Sequence, residues 1–167
     1  DGKPQKPETF RLVKIDTTAP VEVPGRLTTR ADEEIAAQDE DARIVVFFLD
    51  DYHVRHGSSM AARKHLVDFV ANQLAPQDMV AVMYPLTPAS ALTFTRNRNS
   101  LLEAVNHFEG RKGDYIPRNE FEERYAYYPT VQVESIRNDV TMGALRAAAA
   151  QLGAMREGRK SIIFVRE

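Results

Sequence analysis

No cysteine occurs anywhere in the chain, which removes disulfides, zinc–thiolate centres and thiol nucleophiles together. Compartment stays open on that count, because a cysteine-free chain folds in either redox environment. No apolar run approaches the roughly 20 residues that a membrane-crossing helix needs; the longest, Ile44 to Leu49, is strand-sized. One-sided charge is missing as well. The net charge of −2 calls for neither nucleic acid nor an anionic membrane surface. Arg96, Arg98, Arg111, Lys112 and Arg118 lie near one another in sequence, but Glu109, Asp114, Glu120, Glu122 and Glu123 interrupt them. There is no glycine-rich phosphate loop and no nucleophile–base arrangement: Ser161 falls inside an apolar strand, and nothing around Ser58 forms a nucleophile elbow. The chain has neither an initiator Met nor a signal peptide. It starts Asp1-Gly2-Lys3-Pro4 and stops at Arg166-Glu167 just after an apolar strand, so a piece of something longer is expected.

What is present is an ordinary globular mixture, 43% hydrophobic and 28% charged, in 167 residues. That length suits one α/β domain and is short for two. Residues 1–42 read as the remnant of an upstream β-unit plus a linker. Turn chemistry at the start leads into the alternating stretch Phe10 to Ile15, followed by Pro20, Pro24, Gly25 and an acidic tether from Asp32 to Asp41. Residues 43–167 read as the domain proper.

Three apolar runs without alternation mark strands buried on both faces: Ile44 to Leu49, Met79 to Tyr84 and Ser161 to Val165. A helix from Met60 to about Leu74 follows the first, with Ser58 or Ser59 as its cap. Ala91 to Phe94 is expected as a short edge strand, and Asn97 or Asn99 caps a helix carrying Leu101, Leu102, Val105 and Phe108. Residues 110–130 form a charged, tyrosine-rich insertion in which Asn119 to Tyr125 makes one or two helical turns. A further helix is expected from about Ser135 or Asp139 to Met155, burying Leu145, Ala148, Ala149, Leu152 and Met155. Buried strands alternating with amphipathic helices imply a Rossmann-like, three-layer α/β fold with a mostly parallel sheet, one that lacks its last elements. An open sheet edge of that kind invites pairing with a second copy.

In such sheets ligands bind beyond the carboxyl ends of the strands. There the chain offers Asp50 and Asp51, a loop with His53, His56, Ser58 and Ser59, then Asp139 and Thr141, and finally Arg166 and Glu167. Carboxylates and hydroxyls on separate loops suit a hard divalent cation. Asp50, Asp51, His53 and His56 alternatively spell a metallohydrolase set, with a preference for transition metals. Tyr125, Tyr127 and Arg124 have the composition of a protein interface.

From Arg43 to Glu167 the chain resembles the von Willebrand factor A (VWA) fold, whose adhesion site joins Asp-x-Ser-x-Ser, a Thr and an Asp from three loops. Asp50 after Val-Val-Phe-Phe-Leu matches the first aspartate; Asp139-Val140-Thr141-Met142-Gly143-Ala144-Leu145 is similar to the Thr-bearing stretch; Gly158 to Val165 resembles the strand before the third loop. Asp1-Gly2-Lys3-Pro4 with Phe48-Leu49-Asp50-Asp51-Tyr52-His53 is similar to the bacterial VWFA-related family. The resemblance implies an exported, non-enzymatic protein-binding module. It also implies Mg²⁺, Mn²⁺ or Ca²⁺ held by Asp50, Ser58 or Ser59, Asp139, Thr141 and Glu167. The pattern is degenerate: Tyr52 and Val54 stand where serines belong, Asp139 where the threonine would be, and Glu167 in place of Asp. A scaffold without metal, binding through the tyrosine-rich insertion, is the remaining alternative.

Overall fold

The computed structural model describes residues 30–36, 43–155 and 158–167; Phe10 to Ile15 and the rest of the expected upstream unit lie outside the described residues. Strand β1, Ile44–Leu49, is buried at every position, as its unbroken apolar run requires. Parallel neighbours lie on both sides of it, β2 (Met79–Met83) and β3 (Lys160–Val165), in the order β2-β1-β3. The fold is therefore mixed α/β around an open, all-parallel sheet, with five helices among the described residues.

Alternation along β1 divides the core into two. Val45, Phe47 and Leu49 face α2 (His56–Asn72) and α3 (Arg98–Asn106), packing with Leu66, Val70, Leu101, Val105 and Phe108. Ile44, Val46 and Phe48 face α5 (Thr130–Ala154), packing with Ala148 and Leu152. Helix, sheet and helix make three layers. Among the described residues no helix is long and apolar enough to cross a membrane.

Local chemistry places several boundaries. Asn97 caps α3, its side chain accepting from the backbone N–H of Asn99 and Ser100 at 3.1 and 3.3 Å. Asn119 caps the short α4 (Glu120–Glu123), accepting from Glu122 N–H at 3.0 Å. Helix α2 starts at His56, four residues before the apolar periodicity does. Its N-cap, Arg55, makes no side-chain cap bond, and Ser59 Oγ donates back to the His56 carbonyl at 2.7 Å. The expected strand over 91–94 is instead a 3-10 turn, Ala89–Ala91, followed by one antiparallel bridge in which Thr95 exchanges both backbone bonds with Val80. Leu92 and Phe94 spend their side chains on the core beside α5. The first described helix, α1 (Arg30–Ala36), overlaps the start of the segment expected to be an acidic tether, and its Glu33 carboxylate accepts a hydrogen bond from Thr95 Oγ1.

Helix α5 begins at Thr130 after Pro129, well ahead of Ser135. Its buried stripe runs Val133, Arg137, Thr141, Ala148, Leu152, at the four- and seven-residue intervals of one helix face. An arginine and a threonine on that stripe hide its first half from any reading based on apolar periodicity.

Gly110 opens the insertion with its backbone against the loop after β1. A Cβ there would lie 2.3 Å from the Val54 carbonyl oxygen and 2.7 Å from that of Arg55. Gly143 on α5 has open space around it. Gly110→Ala is therefore expected to lower stability by about 1–3 kcal/mol through backbone displacement. Gly143→Ala should raise it by about 0.5–1 kcal/mol through helix propensity. Urea unfolding monitored by circular dichroism measures both.

Candidate functional site at the carboxyl end of the sheet

Strand register builds the site. Leu49 pairs with Val165, and the backbone N–H of Asp50 donates to the Val165 carbonyl at 3.0 Å, carrying the pairing one residue further. Even-numbered residues of β1 face α5; so does Ile162 of β3. Continuing that period of two beyond the strands puts Asp50 and Arg166 side by side beneath α5. Thr141 reaches them because it lies on the buried stripe of that helix.

Asp50 is completely buried. His53 Nδ1 lies 2.9 and 2.7 Å from its two carboxylate oxygens. Thr141 Oγ1 donates to Oδ1 at 3.3 Å, and Arg166 Nε stands 3.6 Å from Oδ2. Asn138, also on α5, accepts from Arg166 Nη2 and fixes that guanidinium. The other nitrogen of His53, Nε2, points toward Glu134, 3.9 Å from Oε2, and makes no hydrogen bond within the protein.

A second charged cluster docks the insertion beside the first. The Arg111 guanidinium donates to Asp51 Oδ2 at 2.9 Å and, through both terminal nitrogens, to the carboxylate of Glu122. Tyr52 hydroxyl donates to Glu122 Oε1 at 2.9 Å, and the backbone N–H of Arg118 to Oε2 at 2.9 Å. Arg111 and Arg137 flank the Tyr52 ring at 4.7 and 4.8 Å from its centroid, a cation–π sandwich. Arg137 also stacks on Tyr115 and donates to the Asp114 carbonyl at 2.7 Å, tying α5 to the same loop.

These surroundings set the protonation of the cluster. Burial by itself would raise the Glu122 carboxyl. The bonds from Arg111, Arg118 N–H and Tyr52 outweigh it and bring the pKa down from 4.5 to about 2. Burial raises the Tyr52 hydroxyl well above its usual range, so it stays a proton donor. Burial also pushes Asp51 up, opposed by Arg111.

The residues expected to hold a metal are only partly assembled. Thr141 meets Asp50. Ser58 donates instead to Glu167, whose carboxylate is held below its usual range first by that bond, with Arg55 and Lys112 3.4 and 3.6 Å away. Ser59 is turned to the His56 carbonyl. Asp139 is exposed: two residues before Thr141 means roughly 200° around the helix, the opposite face. Of the hydrolase set, His53 meets Asp50, whereas Asp51 pairs with Arg111 and His56 is exposed and 3.3 Å from Glu109. Of the residues expected to meet a partner, Tyr127 and Arg124 are exposed, whereas Tyr125 is buried edge-on against Phe121 at 5.4 Å. No group of three or more His, Asp or Glu side chains suited to a metal occurs among the described residues. Asp50 and Thr141 alone do not make the oxygen cage that a hard divalent ion requires, and a guanidinium already stands at Asp50.

The sequence points to Arg166 only as a residue at the end of the third strand, and it gives no role at the site to Arg111, Glu122 or Arg137. The one usable signal was the spacing of Val133, Arg137 and Thr141, four residues apart each time. Comparison with protein-family models, with curated proteins and with solved structures gave no match.

Glu122 yields a pH test. Its folded-state pKa is depressed, so its contribution is complete above the ordinary carboxylate value of 4.5 and is lost as pH falls toward 2. At neutral pH Glu122→Gln should cost about 3 kcal/mol, as for a broken buried ion pair. Between pH 4.5 and 2 the wild type should lose stability more steeply than the variant, as read from urea midpoints across that range. Parallel profiles would show that the carboxylate is not held by Arg111 as described.

Proposed function

We propose that this chain is a non-enzymatic protein-recognition module. On this reading a Rossmann-like, VWA-type scaffold presents the tyrosine-bearing insertion and the start of α5 as its contact surface. The carrying observation is the exposure of apolar side chains on a rigidly docked base: Tyr127 is 97% exposed, Val131 80% and Ile116 71%, with Tyr128 at 51%. Arg124 is exposed as well. Leaving large apolar groups in water costs solubility, and clusters of them mark interaction sites. Tyrosine and arginine are the side chains that most often anchor interfaces.

The base beneath them favours binding. Glu122, Arg111, Tyr52 and Arg137 fix the first part of the insertion to the loop after β1 and to α5, so less ordering entropy is left to lose on association. Tyr125 belongs to that base, as a buried support under Phe121. The partner implied is a protein offering apolar pockets for Tyr127 and Val131. The adhesion-type reading keeps one specific point in its favour, the contact between Thr141 and Asp50.

A photo-crosslinking amino acid at position 127 tests this. In extract of the source cell, position 127 should give a defined adduct that excess unlabelled wild type suppresses. Unlabelled Tyr127→Ala/Val131→Ala should compete at least about tenfold less well, as for loss of a hot spot, while its unfolding midpoint stays within about 0.5 kcal/mol of wild type. The same adducts from a crosslinker at exposed Asp139, or equal competition by the double variant, would dismiss the tyrosine face as the binding surface.

A further inference from the structure

We propose that the outer edge of β3 is a self-association surface: two copies of this chain pair antiparallel through Ile162 to Arg166, joining their sheets about a two-fold axis at Phe164. The proposal is independent of the tyrosine face.

Strand β3 has the sequence of a central strand and the surroundings of an edge strand. Its run Ile162-Ile163-Phe164-Val165 is unbroken and apolar, the pattern of a strand covered on both faces. β1, with the same kind of run, is buried throughout, whereas no residue of β3 is fully buried and Phe164 is 38% exposed. Among the described residues β1 is its only strand neighbour. Apolar grooves open beside it on both faces of the sheet. One, of about 430 Å³, lies against α2 and is lined by Leu66, Phe69, Ile163 and Val165 among others. The second, of about 290 Å³, lies against α5 beside Leu152 and Ile162. Nothing on the strand itself blocks pairing in the ways that edge strands ordinarily do. It holds no proline, and its register with β1 is unbroken. Its one lysine, Lys160, is turned away to the Leu152 and Met155 carbonyls at 2.8 and 3.3 Å.

Backbone geometry selects which residues bond outward. The carbonyls of Arg159 and Val165 accept from Ile44 and Asp50 on the β1 side. Alternation along the strand therefore turns the odd-numbered residues to β1 and the N–H and C=O of Ile162, Phe164 and Arg166 outward. A two-fold axis perpendicular to the sheet keeps each face on its own side, so residues opposite one another share a face. Two registers then overlap the apolar run equally. The one centred on Ile163 sets Lys160 against Arg166 of the second copy, twice over, and the Glu167 that would meet Arg159 there is already bonded to Ser58. The one centred on Phe164 opposes no like charges. It joins the two Phe164 backbones, sets Ile163 against Val165 over the α2 groove, and lays Ile162 on the stem of Arg166. The occupant that fits this edge is the same sequence, reversed.

A chain without cysteine makes the register measurable. The whole chain is prepared as wild type, Phe164→Lys, Phe164→Cys, Ile163→Cys and Asp139→Cys. Its mass is followed by light scattering, and the cysteine variants are then oxidised mildly. Wild-type mass should rise from monomer to twice monomer over about 1–100 µM and stop there, because an isologous pair is closed. Phe164→Lys should stay monomeric, a charge having been placed on the pairing edge. Phe164→Cys should form disulfide dimers at least about tenfold faster than Ile163→Cys or Asp139→Cys, since hydrogen-bonded opposite residues bring their Cα atoms to about 5.5 Å. The disulfide rates decide the matter even where Phe164→Lys fails to fold. A wild type that is monomeric at the highest concentration, a mass that grows past two copies, or equal disulfide rates at the three positions would overturn the proposal.

Discussion

The carboxyl end of this sheet is organised by one constraint: a carboxylate buried at the end of a central strand must be neutralised by the chain itself. Asp50 follows six consecutive buried residues and has no exposure of its own. Within a low-dielectric interior its charge is tolerable only with donors on both oxygens. Hydrogen-bond donors come from the loop after β1 and from α5, and a positive charge, 3.6 Å away, comes from the end of β3, three elements distant in sequence. Satisfying one side chain thus ties the edge strand and the long helix to the central strand.

The neighbouring cluster extends the same logic to the insertion. Asp51, next along the chain, engages Arg111, which engages Glu122, which accepts from Tyr52. Such ion-pair networks contribute little net stability compared with apolar packing of similar volume. Their geometric demand is strict, however, and a segment held by bidentate pairs has few alternative arrangements. An insertion without an apolar stripe of its own is in this way given a defined shape, and its tyrosines a defined direction.

How much of this was legible in the sequence follows from the kind of force involved. The β1, β2 and β3 strands announced themselves as apolar runs, and the Asn97 cap of α3 was readable from one side chain, because both signals are local. The first two turns of α5 were not, since Arg137 occupies a buried position that periodicity assigns to an apolar residue. Asp50 and Thr141 were singled out, and they do meet. Arg111 and Glu122 were not, since a buried pair has no sequence spacing: Asp51 and Arg111 lie far apart along the chain and touch because Gly110 lets the backbone approach Val54 and Arg55. Ser58, Ser59 and Asp139 lost their expected partners for reasons of helix geometry, α2 starting early and Asp139 falling on the outer face of α5.

The claim on which the account stands is that buried charge locks the insertion to the sheet edge. Amide hydrogen exchange of the intact chain near neutral pH measures that lock residue by residue. The backbone N–H groups of Arg111, Arg118 and Glu122 each have a partner in the network, namely the Asp51 carbonyl, the Glu122 carboxylate and the Asn119 side chain. They should exchange with protection close to that of the α2 and α5 amides. Exchange at these amides as fast as in an unstructured loop would contradict the account, leaving the tyrosines on a segment without a fixed base.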